Sequence, residues 1–195
     1  MGGAIAKAFA KSEQVKNAGI TVIERDQQKV DVFNKLGIRA VSDDYAPLSA
    51  SKIVVLALKP WLIESFLKEH KDLFNPTQLI VSIAAGITLA QLKEWTVAES
   101  KVFRVIPNTA IEVGQSMTFI ASEGASAEEQ DVVSGLFQLA GKVEIIEEKL
   151  FPAVTALSSC GIAYAFRYIR ASMEGGVELG IPSKDAKNIM IQTLR

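Results

Sequence analysis

Three apolar runs, at residues 53–58, 79–84 and 102–106, constrain this chain more than anything else in it. Each has the length of a strand, and each lacks the strict apolar–polar alternation of a strand with one wet face. A strand of that kind must be covered on both sides. Helical stripes separate the runs: Leu62, Ile63, Phe66 and Leu67 after the first, and Leu89, Leu92 and Trp95 after the second. Buried strands alternating with helices predict an α/β fold with a doubly wound, mainly parallel sheet.

The flanking sequence extends the pattern. Residues 2–16 read as a helix, with Ile5, Ala8, Phe9 and Val15 near the helical repeat. A short β-branched strand follows at 20–24. Val30, Phe33 and Leu36 then mark a second helix that Gly37 can end, before a strand at 38–41. Further strands are expected at 117–121 and 143–147, with a helix on Val132, Leu136 and Leu139 between them. Beyond about residue 150 no strand is expected. Residues 151–180 and 183–194 read as helices, with small-residue interruptions at 158–161 and at Gly175-Gly176. The expected organisation is a Rossmann-like α/β domain over 1–149 and the start of an all-helical domain over 150–195. Val154, Leu157, Tyr164, Phe166 and Ile169 are too many apolar groups for a helix alone in water, so this segment is expected to build a homo-oligomer, at least a dimer.

Composition removes several function classes. A formal net charge of -1 gives no basic surplus for nucleic acid. One cysteine, Cys160, makes no internal disulfide, and one histidine, His70, makes no zinc site alone, so no metal is expected. The apolar runs at 53–58 and 79–87 fall short of the ~20 residues that cross a bilayer, so no membrane partner is expected. Met1-Gly2-Gly3-Ala4-Ile5-Ala6 lacks the serine or threonine of a myristoylation signal, and no secretory core follows. A reducing cytoplasm is the expected compartment.

A Rossmann unit opens with an apolar strand that enters a glycine-rich turn and then a helix. This sequence opens on the helix, so the first strand is expected to be missing from it. Met1-Gly2-Gly3-Ala4 matches the tail of the turn, with Gly2 as the glycine that lets the helix pack closely on the sheet. Glu24 and Arg25 end the strand where the adenosine ribose is read. A carboxylate there accepts from both ribose hydroxyls and favours NAD; an arginine pairs with a 2′-phosphate and favours NADP. Both are present, so NADP and NAD both remain candidates.

Ligands of an open parallel sheet bind beyond the carboxyl ends of its strands. The residues there are Ala57, Leu58, Lys59 and Pro60, then Ala84, Ala85 and Gly86, then Pro107, Asn108 and Thr109. Small residues at 84–86 let a ring lie against backbone, and Lys59 can reach a nicotinamide ribose. Each segment taken singly also reads as ordinary turn chemistry.

In order, Met1-Gly2, Ala57-Leu58-Lys59-Pro60, Ala84-Ala85-Gly86, Ile106-Pro107-Asn108-Thr109-Ala110 and Thr155-Ala156-Leu157-Ser158-Ser159-Cys160-Gly161-Ile162-Ala163-Tyr164 resemble the pyrroline-5-carboxylate reductase family. Gly175-Gly176-Val177-Glu178-Leu179-Gly180-Ile181-Pro182 is similar to a later stretch of the same family. The resemblance covers essentially the whole chain. It implies hydride transfer from NAD(P)H to the cyclic imine pyrroline-5-carboxylate, giving L-proline, the last step of proline biosynthesis. It places Ala57 to Pro60 and Ala84 to Gly86 on the cofactor, Asp44 near its adenosine and Asn108 at its nicotinamide end. Ser158, Ser159, Cys160, Gly161 and Ala163 would border the substrate. Cys160, Ile162 and Ala110 depart from the family's serine, proline and proline. The family's further helices, with a Ser-Pro-Gly-Gly-Thr-like loop for the substrate carboxylate, do not occur before Arg195.

A protonated imine is already electrophilic, so the reaction needs orientation more than a catalytic triad. No catalytic side chain is assigned. His70 reads as structural, Cys160 as a small buried hydrophobe, and Glu24 and Glu112 form no obvious acid–base pair. A hydroxyacid dehydrogenase would want a lysine early in the helical region, and none lies between Phe151 and Arg170. A non-catalytic dinucleotide-binding or interaction protein is the alternative from a different class.

Overall fold

The computed structural model describes residues 1–13, 15 and 19–194. The chain divides into two compact units, Met1–Phe151 and Pro152–Arg195. Helix α1 (Gly2–Ala10) opens the first unit and is followed by β1 (Thr21–Glu24), α2 (Gln27–Lys35), β2 (Arg39–Ser42) and the short α3 (Pro47–Ala50). Then come β3 (Ile53–Leu56), α4 (Pro60–Glu69), β4 (Leu79–Ser82), α5 (Leu89–Trp95) and β5 (Lys101–Ile106). A 3-10 turn over Thr109–Val113 leads to β6 (Ser116–Glu123), α6 (Ala127–Gln138) and β7 (Gly141–Ile145).

The strands form two hydrogen-bonded groups, β1-β2 and β3-β4-β5-β6-β7. Every pairing is parallel except β5 with β6. Among the described residues, β1 and β3 each keep one edge without a strand partner.

Alternation along the central strands explains the double winding. Ile80 and Val102 face a cluster with Ile63 and Leu67 of α4 and Leu92 and Trp95 of α5. Their neighbours Val81 and Phe103 face a second cluster, with Ile5 and Phe9 of α1 and Val133 and Phe137 of α6. All four residues of β4 are buried, as a strand between two helical layers requires. Helix α1 also reaches a third cluster, in which Ala6 packs with Val30, Phe33 and Ile38. It therefore lies on both strand groups.

The second unit holds most of α7 (Phe151–Val154), a π turn over Thr155–Ser159, α8 (Gly161–Glu178) and α9 (Ser183–Thr193). Gly180, at φ +95°, reverses the chain between the last two helices, which a residue with a Cβ does only under strain. Of this unit's apolar side chains, Ala186 and Met190 are buried.

Several expectations need correction. The first helix ends at Ala10 rather than 16. Val15 sits in a bend, and positions 14 and 16–18 lie outside the described residues. Leu36 is not on the buried stripe: it is the exposed C-cap of α2, where Gly37 (φ +75°) turns and Ile38 N–H closes on Phe33 O at 3.0 Å. In α6 the buried stripe is Val133 and Phe137, and Val132 is exposed. The paired valines allowed either phase. Gly175-Gly176 does not interrupt α8, which runs unbroken from Gly161 to Glu178. Finally, the helical run Glu148–Glu178 is long and apolar enough, by length and composition alone, to cross a membrane. The apolar runs at 53–58 and 79–87 are shorter than this helical run.

Candidate functional site

Parallel pairing sets the carboxyl ends of β3, β4 and β5 in one row. Leu56 lies opposite Ser82, and Ser82 opposite Arg104. The segments that leave those ends, 57–60, 84–86 and 107–109, therefore emerge on the same edge of the sheet. Ala57, Lys59, Ala85 and Gly86 are exposed there, directly beyond strands that are buried. Leu58 and Pro60 are half-buried and Ala84 is buried. Gly86 holds φ +81° with open space where a Cβ would stand. Lys59 is the extended N-cap of α4 and Pro60 its first residue, where proline's missing N–H costs nothing. The Lys59 ammonium stands 5.9 Å from the ring centre of the exposed Trp61.

Asn108 is buried, and much of its polarity is used locally. Its Oδ1 accepts from the Ala110 N–H at 3.1 Å, and its own N–H donates to Ser116 Oγ at 3.2 Å. It shapes the rim after β5 as a cap.

The start of α1 reaches this row. A Cβ on Gly2 would stand 2.6 Å from the Cβ of Ala57, closer than real side chains approach. Only glycine lets the helix begin there. Met1 makes no side-chain cap, and the helical ladder starts with Ile5 N–H on Met1 O. The first amides of this nine-residue helix are thus left for another acceptor, beside the loop after β3. Oriented amides and a partial positive charge suit the pyrophosphate of a dinucleotide. The close approach at Gly2 and the small residues at 84–86 fit that group.

Glu24 and Arg25 lie at the end of β1, in register with Ser42 at the end of β2. Glu24 Oε1 accepts from the backbone N–H groups of Arg25 at 2.9 Å and Asp26 at 3.3 Å. Arg25 points towards the β2 loop, with its Nε 3.7 Å from Asp43 Oδ1. Tyr45, first as a hydrogen-bond partner and then through its charge, and after it the charge of Asp43, raise the guanidinium pKa above its ordinary value. Asp44 Oδ1 accepts from the Ala46 N–H at 3.0 Å and so works as a turn residue.

In the second unit, Ser158 and Ser159 belong to the π turn, whose last amide, that of Cys160, bonds Thr155 O at 2.9 Å. Cys160 is a free, half-buried thiol and Gly161 is half-buried, whereas Ala163 is exposed. The Ser159 hydroxyl is buried without a hydrogen-bond partner. A wide turn carrying an unsatisfied hydroxyl is an unfavourable arrangement for a helix, and such turns gather at functional sites.

Sequence reasoning missed two features. Glu148 Oε1 accepts from Arg104 Nη1 and from the first amide of α5, Leu89 N–H, at 2.9 and 2.8 Å. The Arg104 guanidinium lies 4.5 Å over the ring of Phe151, which is fully buried. A lone arginine inside the apolar run 102–106 was the available signal, since a buried cation needs a partner. The other feature is Asp43, which holds φ +48° and places its carboxylate 3.7 Å from Arg25 Nε. A shallow cleft of about 280 Å³ lies against the start of α1 and against α2, lined by Met1, Gly3, Ala4, Lys7, Lys29 and Glu112 among others; it adjoins the helix start and not the 57–60 and 84–86 loops.

Comparison with known proteins bears on both units. Residues 148–195 match the family model for pyrroline-5-carboxylate reductase dimerisation. Residues 1–86 match that for NADP oxidoreductase, coenzyme F420-dependent. The chain is 34% identical over 195 residues to a pyrroline-5-carboxylate reductase of Pisum sativum, covering all of this chain and 71% of that protein. A crystal structure of Plasmodium falciparum pyrroline carboxylate reductase with NADP bound superposes with a TM-score of 0.90 at 26% identity. That alignment covers 100% of this chain and 72% of the other. A pyrroline-5-carboxylate reductase of Coxiella burnetii gives 0.90 at 26%, over 99% and 73% of the two chains.

Proposed function

The chain belongs to the pyrroline-5-carboxylate reductase family, and from that premise we propose that it catalyses the NAD(P)H-dependent reduction of 1-pyrroline-5-carboxylate to L-proline. The observation that supports this reading best is the contact of Gly2 with Ala57, which brings an uncapped helix start to the row of strand ends. When bound there, the dinucleotide supplies the hydride. The chain's own part is to bind and orient. The first amides of α1 would hold the pyrophosphate, and Ala57 to Pro60 with Ala84 to Gly86 would line its path. Lys59 would reach the nicotinamide ribose, Asn108 would shape the nicotinamide end, and Glu24, Arg25 and Asp44 would stand at the adenosine.

Ser158, Ser159, Cys160, Gly161 and Ala163 would border the substrate, with the unsatisfied Ser159 hydroxyl as a donor or acceptor for it. Orientation of two rings in near contact can supply several kcal/mol of the barrier, roughly up to ten in the best cases. No side chain needs to act as an acid if the imine arrives protonated. The exposed apolar side chains of the helical unit support a homo-oligomer formed through it. A cytoplasmic setting, which keeps the Cys160 thiol free, fits the same role.

The direct test is oxidation of NADPH or NADH by pyrroline-5-carboxylate, followed by the loss of nicotinamide absorbance. Turnover with proline as product is the expected result. Tight dinucleotide binding without turnover would instead identify a non-catalytic binding protein.

A further inference from the structure

The cofactor reading uses Glu24 and Arg25 at the ends of β1 and β2 but leaves Asp26, Lys29 and Asp43 beside them without a role. Lys29 Nζ lies 3.7 Å from both Glu24 and Asp26. Arg25 Nε lies 3.7 Å from Asp43, which belongs to the loop leaving the neighbouring strand. Asp43 is held in place. It takes φ +48°, the one positive φ of a non-glycine among the described residues. Tyr45 OH donates to its Oδ1 at 3.3 Å. The Tyr45 ring is packed in turn against His70, 4.3 Å between centres, and Phe66, at 5.6 Å. A strained backbone, a hydroxyl and an aromatic stack thus fix one carboxylate beside one guanidinium. Both side chains remain open to solvent, at 76% and 59% exposure, so a ligand can reach them.

The end of the strand after the first helix is where a Rossmann unit reads the adenosine ribose. Arg25 carries the planar, two-pronged donor that suits a 2′-phosphate. We propose that Asp43 is a selectivity residue: it engages Arg25 and thereby lowers the preference of the site for the 2′-phosphorylated dinucleotide over the unphosphorylated one. The inference rests on the cofactor site proposed above. A phosphate must displace the carboxylate from Arg25 and is repelled by it meanwhile. A ribose with a free 2′-hydroxyl meets neither obstacle.

The test is calorimetric binding of NADPH and of NADH to the full chain at low ionic strength, where exposed charges are least screened. Asp43→Asn suits it, because asparagine tolerates the same positive φ. This variant is expected to tighten NADPH roughly fivefold, the scale of one exposed ion pair, with NADH changed by less than about twofold. In an Arg25→Ala background the same substitution is expected to give no selective gain. Equal tightening of both dinucleotides, or a gain that persists without Arg25, would show only general charge repulsion and overturn the proposal. If the folded wild-type chain binds neither dinucleotide, the cofactor site itself fails, and the selectivity with it.

Discussion

In the first unit Ile80, Phe103 and Ile120 have no exposure at all, whereas in the second Leu157, Phe166 and Leu179 are 78%, 65% and 88% exposed. Both segments are rich in apolar residues, so composition does not explain the difference. Layers do. A sheet with helices on both faces encloses Ile80 and Val102 on one side and Val81 and Phe103 on the other. Helices α8 and α9 form one layer and cover little beyond Ala186 and Met190. The first unit carries a core of its own. The second has the apolar surface of an unfinished one, and a second copy of the chain is the natural way to finish it.

The strongest test of that contrast removes the unfinished face. Replacing Leu157 and Phe166 with glutamate should raise the dissociation constant of the assembly about a thousandfold or more, since each buried side chain of this size contributes about 1.5–3 kcal/mol. Sedimentation at micromolar concentration measures it. The first unit should keep its dinucleotide affinity. An assembly that survives both changes would place the interface elsewhere and break the comparison.

A second change probes the first unit, where close packing should make even one methyl costly. Gly141 opens β7 at φ +145°, and a Cβ there would come 2.1 Å from Ser116 O and 2.4 Å from Ser116 N. Both are backbone atoms of the neighbouring strand and cannot rotate away. Gly141→Ala is expected to lose roughly 3 kcal/mol or more of stability, read as a lower urea midpoint. Gly86→Ala is the control. It shares the positive φ but has open space, and should lose only about 1 kcal/mol.

The same contrast decides what could be read in the sequence. The run at 79–84 announced β4 because a strand between two layers has no polar face to interrupt it. The order of loops at 57–60, 84–86 and 107–109 was legible because parallel strands deliver their ends to one edge. The direction of β6 was not, since an apolar run has no sense of direction, and β6 in fact runs antiparallel to β5. Val132 was assigned to the core in place of Val133 because adjacent apolar residues fit two helical phases equally well. Asp43 escaped notice for a different reason. Its importance comes from Arg25, which is distant in sequence and adjacent only after β1 and β2 pair in register. Arg104 and Glu148 are farther apart still.

That last pair sharpens the comparison where the first unit ends. Arg104 is 12% exposed and Glu148 29%, and Phe151 beneath the guanidinium is fully buried. Arg104→Ala should cost about 2 kcal/mol, below the range for fully buried pairs because the carboxylate is partly wet. Adding Glu148→Gln should recover part of the loss, since the unpaired charge is then removed. Chemical denaturation of the single and double variants gives the coupling directly. Additive losses would mean that the two residues act independently.

The smallest effect is expected on the first unit's surface, at the start of α6. Ser126 and Glu129 cap this helix reciprocally, with Ser126 N–H donating to Glu129 Oε2 at 2.9 Å and Glu129 N–H donating to Ser126 Oγ at 3.3 Å. Lys101 lies 3.0 Å from Glu129 Oε1. The Ser126 amide first, and Lys101 after it, hold the Glu129 carboxyl below its usual range. A carboxyl lowered in the folded state contributes stability at pH above its unfolded value, about 4.3. The contribution fades as the pH falls through the lower folded value. Glu129→Gln preserves the cap and removes the charge. It should cost only a few tenths of a kcal/mol at pH 7, and the unfolding curves of variant and wild type should converge in acid, once the carboxyl is protonated in both states. A gap that stayed open in acid would mean that the side chain acts through packing, and the surface of this unit would then resemble its core more than the exposure of α6 implies.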